Sequence, residues 1–153
     1  MSLQEQLMND LKEAMRQQDE IRKRAIRSVI AAIRNAETEL DASGKRVSLD
    51  DDDVLHLMSK LAKQRQESIE EFRRGGRQDL VAEEEADLAI LQEYLPKQLS
   101  REDIEVEARQ VIAETGASGP RDMGNVMKPL MARLRGRADG KLVNQIVREL
   151  LTG

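Results

Sequence analysis

Apolar residues recur at helical spacing along nearly the whole chain, and this pattern constrains the fold more than any other feature of the sequence. Leu3, Leu7, Leu11 and Met15, for example, follow one another at intervals of four residues, which places them on one face of a helix. Clusters of β-branched residues bounded by turns, the usual sign of strands, are missing. The sequence therefore predicts an all-α fold with seven helices and no sheet.

The dipeptide Leu95-Pro96 interrupts this pattern. Proline lacks a backbone N–H and pushes the residue before it out of the helical conformation. The charge also changes here, because residues 1–95 carry 15 Lys or Arg against 21 Asp or Glu, whereas residues 96–153 carry 10 against 8. We therefore expect an N-terminal helical bundle, residues 1–95, followed by a small three-helix tail domain, residues 96–153.

Capping residues and apolar stripes predict where several helices begin and which faces they bury. The residues expected to cap helix starts are Asp19, either Ser48 or Asp50, Ser100 and Asp139. The second helix, from about Glu20 to Leu40, is expected to bury Ile21, Ala25, Val29, Ile33 and Ala36. Pro129 lies inside the sixth helix, where it removes a hydrogen bond and is expected to bend the chain.

Composition argues against most kinds of catalytic site. The chain has no Cys, and His56 is its single histidine, so neither a thiolate site nor a histidine-based metal cluster is expected. The acidic run from Asp50 to Asp53 lacks the glycine of a calcium-binding loop and suits the first turn of a helix better. We expect no cofactor, no metal and no catalysis by the chain alone.

The sequence also bears on location. The longest apolar run is the five residues from Val29 to Ile33, against the roughly 20 that a membrane-spanning helix needs. Residues 1–10 contain carboxylates and no apolar core of a secretory signal. Together with the absence of Cys, these features predict a cytoplasmic protein that does not associate with membranes.

Basic residues concentrate in the tail. Between residues 121 and 148 seven Lys or Arg face only two carboxylates, and the densest part comprises Lys128, Arg133, Arg135, Arg137 and Lys141. Such a cluster is suited to bind phosphate oxygens, although cations at the end of a helix also stabilise the helix itself. A second basic group, Arg22, Lys23, Arg24, Arg27 and Arg34, is better explained as a solvated helix face paired with acidic neighbours.

Several short blocks of sequence, in a characteristic order and spacing, resemble the YqeY family of small bacterial proteins. In the N-terminal part they are Lys63-Gln64-Arg65, Ser68-Ile69-Glu70-Glu71-Phe72, Gly76-Arg77, Asp79-Leu80 and Glu93-Tyr94-Leu95-Pro96-Lys97-Gln98-Leu99-Ser100. In the tail they are Glu114-Thr115-Gly116-Ala117-Ser118, Asp122-Met123-Gly124, Val126-Met127 and Gly136-Arg137-Ala138-Asp139-Gly140-Lys141-Leu142-Val143-Asn144. The resemblance covers nearly the whole chain.

The resemblance implies a function as well as a fold. The C-terminal part of YqeY proteins is similar to the tail domain of GatB, a subunit of the glutamine-dependent tRNA amidotransferase, and that tail is regarded as a tRNA-contacting domain without amide chemistry of its own. The first hypothesis is therefore a non-catalytic accessory module associated with tRNA or with tRNA-dependent amide transfer. That transfer is the reaction of a glutamine-dependent carbon-nitrogen ligase. Its expected RNA contacts are Lys128, Arg133, Arg135, Arg137, Lys141 and Asn144.

Two other functions remain open. The acidic N-terminal bundle could dock a protein partner, which would make the chain a helical adaptor that binds no RNA. A free-standing amidotransferase ranks last, because no nucleophile with an adjacent base can be found in the sequence. Under the first two hypotheses the partner is a tRNA or a protein, and DNA is not expected.

Overall fold

The computed structural model describes residues 1–39 and 41–153, and within these residues the fold is all-α, as the periodicity predicts. The helices are α1 (Leu3–Arg16), α2 (Glu20–Thr38), α3 (Asp51–Arg74), α4 (Gln78–Tyr94), α5 (Arg101–Thr115), α6 (Met123–Arg133) and α7 (Gly140–Thr152), with a short 3₁₀ turn at Pro120–Asp122 before α6. They form two compact units, Met1–Leu95 and Pro96–Gly153. We refer to these as the N-terminal unit and the tail.

Side-chain caps fix where the helices begin. Asp19 accepts a hydrogen bond from the backbone N–H of Arg22 at 3.1 Å, and Asp139 accepts one from Lys141 at 3.5 Å. Asp50 and Ser100 each form a reciprocal capping box with the residue three positions later. Each cap satisfies an N–H that would otherwise lack a partner, which is typically worth about 1 kcal/mol. All four predicted helix starts are therefore confirmed, with Asp50 rather than Ser48 preceding α3.

Two predictions about the course of helices α2 and α6 are tested only in part. Helix α2 ends at Thr38, and the predicted end at Leu40 lies outside the described residues. Helix α6 continues from Met123 to Arg133 with Pro129 inside it, and the bend expected at this proline stays a prediction.

The N-terminal unit is built around one main core. Helix α4 packs against α2 and α3, and α1 packs against α2. The buried residues of this core are Leu7, Ala25, Ile26, Val29, Ile33, Val54, Met58, Ile90 and Leu91. A smaller cluster of Ile69, Val81 and Leu88 joins α3 to α4.

Two residues expected in this core are exposed instead. Ile21 is 44% exposed, and Met15 is 50% exposed. Ile26 and Ala14 are buried in their helices at 1% exposure. The single-file spacing of four residues drifts around a helix of 3.6 residues per turn, so a long stripe leaves the buried face at its ends. The predicted stripes are therefore correct in the middle of each helix and wrong at these two ends.

The tail has its own core. Helices α5, α6 and α7 each pack against the other two. Its nine core residues are all at most 1% exposed, namely Ile104, Ala108, Val111, Val126, Leu130, Leu134, Val143, Ile146 and Val147. Helix α5 ends at Gly116, whose φ of 70° is the left-handed conformation that glycine adopts most readily.

Candidate nucleic-acid interface

The turn between α6 and α7 carries part of the predicted basic cluster and is held in place from two sides. The backbone N–H of Arg137 donates to the carbonyl of Leu134 at 2.8 Å, and Gly136 adopts a φ of 74° within this turn. On the other side, the N–H of Leu99 donates to the Arg137 carbonyl at 2.8 Å, and the amide of Gln98 donates to the Gly136 carbonyl at 3.0 Å. The turn therefore has a defined conformation rather than a loose one.

Three cations of the predicted cluster lie on α6, in the α6–α7 turn and at the start of α7, and none of them has a carboxylate partner among the described residues. Lys128, Arg137 and Lys141 are exposed, and in the part of the chain that the structure describes none of them forms an ion pair. Met131 lies one turn after Lys128 on α6, and its Cε is 3.8 Å from the position that a Cβ on Gly140 would occupy. This contact brings the turn of α6 that follows Lys128 close to the start of α7. We call Lys128, Arg137 and Lys141 the junction cations.

Arg133 lies on a different flank of α6. It lies five positions after Lys128, which corresponds to a rotation of about 140° around the helix. Its guanidinium donates to Glu107 at 3.4 Å, to Gln110 at 3.3 Å and to Glu114 at 3.0 Å, all on α5. The hydrogen bond with Glu114 is the main reason that the pKa of Arg133 is raised. The structure therefore separates Arg133 from the junction cations and gives it partners within the tail.

The two other predicted RNA contacts are also engaged within the chain. The side-chain oxygen of Asn144 accepts a hydrogen bond from Arg148 at 3.3 Å, one turn further along α7. Arg135 is exposed but takes part in an interaction within the chain. The role of these residues in RNA binding stays a prediction, like that of Arg133 and of the junction cations.

The basic group on α2 is mostly paired with acidic neighbours, which confirms the interpretation drawn from the sequence. Arg22 donates to Glu93 on α4 at 2.6 and 3.1 Å, and this hydrogen-bonded pair lowers the pKa of Glu93. Lys23 pairs with Glu20 at 3.0 Å.

Arg24 extends this pairing into the core of the N-terminal unit. It contacts Glu83 at 3.1 Å and Asp87 at 3.0 Å. Arg27 and Arg34 are exposed and form no ion pair within residues 1–39 and 41–153. This helix face therefore serves mainly to hold α2 against α4.

Asp87 is a buried charge that the sequence pattern does not reveal. It is 4% exposed and accepts two hydrogen bonds from Arg24, at 3.2 and 3.0 Å. Because Glu83 and Asp87 are one turn apart on α4, both reach the same arginine. That spacing is the only available signal in the sequence, and it does not distinguish a buried carboxylate from an exposed one.

Tyr94 makes a second interhelical contact that the sequence does not indicate. Its hydroxyl donates a hydrogen bond to Asp10 on α1 at 2.5 Å. The two residues line a groove of about 420 Å³ together with Gln6, Glu13 and Arg22. Burial of the ring, followed by the hydrogen bond to Asp10, raises the pKa of Tyr94 above its usual value. The contact joins α1 to the end of α4.

Metal ligands and catalytic groups do not gather at one place among the described residues. His56 is exposed on α3, and Asp50 and Asp53 bond to each other's backbone at the start of that helix. No group of three or more His, Cys, Asp or Glu in this part of the chain is placed to hold a metal ion. None of the helices described is long and apolar enough to cross a membrane.

The chain is thus an all-helical protein with a helical N-terminal unit, a three-helix tail and a cationic junction in that tail. Comparison with protein-family models matches residues 4–151 to YqeY, described as Yqey-like protein. The chain therefore belongs to the YqeY family, which confirms the resemblance found in the sequence. The further similarity of the tail to GatB stays a prediction.

Several curated relatives come from yeasts and are named Altered inheritance of mitochondria protein 41, mitochondrial. The protein from Lachancea thermotolerans is 39% identical over 117 residues, which cover 74% of this chain and 60% of the relative. The protein from Saccharomyces cerevisiae strain S288c is 42% identical over 89 residues, covering 58% and 46% respectively. The protein from Kluyveromyces lactis is 37% identical over 117 residues, covering 74% and 60%. The chain thus spans about half the length of the curated relatives it matches.

These relatives correct two expectations. The prediction of a cytoplasmic, bacterial protein is wrong, because the relatives are named as mitochondrial proteins of yeasts. The features behind that prediction do not decide between compartments. A low Cys content suits any reducing compartment, and the absence of a secretory signal in residues 1–10 does not separate the cytoplasm from mitochondria.

Proposed function

We propose that this chain is a non-catalytic accessory module that binds tRNA through the backbone phosphates, using the tail, in the setting of tRNA-dependent amide transfer. The observation that carries the proposal is the set of junction cations, Lys128, Arg137 and Lys141, which are exposed and unpaired in the described part of the tail. Membership of the YqeY family supports the accessory role, and the resemblance to the GatB tail supports the choice of tRNA.

The chemistry of the tail favours recognition by charge and shape. Arginine and lysine side chains are the usual donors to phosphate oxygens, and such contacts position a protein on nucleic acid without reading its sequence. Residues 96–153 contain no aromatic residue, so the tail offers no platform on which unpaired bases could stack. A folded RNA with closely spaced phosphates is therefore the ligand that suits this surface.

The absence of Cys, together with a single exposed histidine, favours an accessory role over an enzymatic one. Release of ammonia from glutamine needs an activated nucleophile, and the chain has no Cys and one exposed histidine. Within this proposal the chain brings or holds tRNA, while a partner protein carries out the amide transfer.

Binding to defined nucleic acids tests the proposal. Fluorescence anisotropy at low ionic strength should show binding of the purified chain to a folded tRNA transcript, and weaker binding to duplex DNA of equal length. Equal affinity for both would remove the preference for tRNA, and no binding to tRNA would favour the helical adaptor. Copurification from mitochondria, followed by sequencing of bound RNA, then identifies the RNA that the protein meets in the cell.

A further inference from the structure

Helix α1 exposes an apolar surface that the proposed function does not use. Met8 is 38% exposed and Met15 is 50% exposed, and their separation of seven residues puts them on the same side of the helix. Methionine is flexible and polarisable, which suits it to contact surfaces that pack against another protein. We call Met8 and Met15 the methionine stripe.

Two opposite charges flank this stripe on one side. In a helix of 3.6 residues per turn, Glu5 and Lys12 both lie about 40 to 60° around the axis from Met8, in the same direction. Glu5 is roughly 4.5 Å before Met8 along the axis and Lys12 is about 6 Å after it. Both are exposed, and neither forms an ion pair among the described residues. Arg16, the next cation on this helix, already pairs with Glu13 at 3.2 Å.

This arrangement is complementary to itself. When two identical helices pack antiparallel, each flank of one helix faces the same flank of its partner. With the twofold axis near Met8, Glu5 of each copy then lies at nearly the same height along the helix axis as Lys12 of the other copy. A parallel pair would place each charged flank opposite the uncharged one instead. Twofold contacts of this kind are self-complementary by symmetry. From the methionine stripe and these charges we infer that α1 is the contact surface for a second copy of this chain, packed antiparallel about Met8.

The size of the contact sets the strength expected of it. A single pair of helices of the length of α1 buries less area than a stable interface, which needs about 1,200 Å² or more in total. The dimer should therefore be weak, dissociating on dilution from high to low micromolar concentration. Sedimentation velocity over this range should show a concentration-dependent shift from dimer to monomer.

Charge reversal distinguishes a second copy from any other partner. Glu5→Lys places lysine opposite lysine, and Lys12→Glu places glutamate opposite glutamate, so each single variant should dissociate at least tenfold more readily than the parent. Mixing the two variants restores opposite charges at both contacts, and the mixture should associate as the parent does. Since Glu5 also belongs to the capping box of α1, restoration on mixing separates the interface from any change in helix stability.

An apolar substitution provides an independent control. Met8→Glu should abolish association, whereas Val106→Glu, at a residue on α5 that is 57% exposed, should leave it unchanged. The inference is overturned by a parent that stays monomeric at high micromolar concentration, by single reversals that have no effect, or by a mixture that fails to associate. Circular dichroism of each variant confirms that it remains helical.

Discussion

Leu130 offers a direct test of whether the tail holds its structure with its own core. The residue is 0% exposed at the centre of the tail cluster, on the helix that carries Lys128. Replacing it with Ala removes three carbon atoms, worth about 2.4 kcal/mol at roughly 0.8 kcal/mol per buried methylene. The cavity left behind adds to this, so we expect a loss of about 3 to 4 kcal/mol.

That loss is large compared with the stability available to the tail. Native domains have roughly 0.05 to 0.15 kcal/mol of stability per residue, which gives about 3 to 9 kcal/mol for a unit the size of Pro96–Gly153. Leu130→Ala should therefore remove at least about a third of the tail's stability, and nearly all of it if the tail lies at the lower end of this range. If the two units fold independently, the N-terminal unit should keep its stability.

Hydrogen exchange followed by mass spectrometry resolves the two units in one experiment. In Leu130→Ala, protection should fall in peptides from α5, α6 and α7 and stay unchanged in peptides from α1 to α4. The matched control is Met58→Ala, a 0% exposed residue of the N-terminal core, which should produce the reverse pattern. A decrease in protection spread evenly over both units in either variant would refute their independence.

Three further predictions concern the N-terminal unit and the chemistry of the chain. The pKa of Tyr94 is raised in the folded state, so on raising the pH the unfolded chain loses the phenolic proton before the folded chain does. The free energy of unfolding should therefore be constant in this respect below pH 10.0, the ordinary pKa of tyrosine, and should decrease above it. In an alkaline titration the phenolate absorbance of this sole tyrosine should therefore appear at a higher pH than for a free tyrosine, and Tyr94→Phe should reduce the alkaline loss of stability. Titration at the ordinary pKa would contradict the buried contact with Asp10. Arg24→Ala leaves the buried carboxylate of Asp87 without its hydrogen-bond donors and should lower the free energy of unfolding, measured in urea, by about 1 to 3 kcal/mol. The same substitution should cost less when Asp87 is already replaced with Ala. Strictly additive losses would show that the pair is not coupled. The purified chain should release no ammonia from glutamine, and turnover by a contaminant-free sample would overturn the non-catalytic assignment.

Local features of this protein can be predicted from its sequence because local chemistry determines them. The caps at Asp19, Ser100 and Asp139 depend on a side chain and a backbone N–H within three residues, and all are predicted correctly. The all-α class follows from the same short-range periodicity. Ile21 is misplaced because a stripe of four-residue steps drifts around the helix and leaves the buried face at its end.

The candidate site is harder to predict because charge pairing is a tertiary property. Sequence alone groups Arg133 with Lys128, since both lie in one basic segment. Their different flanks, and the three partners of Arg133 on α5, depend on how α5 and α6 pack. The burial of Asp87 is likewise invisible without the position of α2. The composition locates the cationic region, and the packing selects which cations remain unpaired.

The salt dependence of tRNA binding decides whether the junction cations contact phosphates. Log affinity falls as log salt concentration rises, and each phosphate contact that is removed makes this line less steep by roughly 0.7 to 0.9. Replacing Lys128, Arg137 and Lys141 with Ala should therefore flatten the line by about two to three units. The matched control replaces Arg27, Arg34 and Lys60, three exposed cations of the N-terminal unit that form no ion pair among the described residues and carry the same total charge. We expect a flattened slope for the tail variant and a nearly parental slope for the control. Equal slopes for the two variants would contradict tRNA binding through the tail.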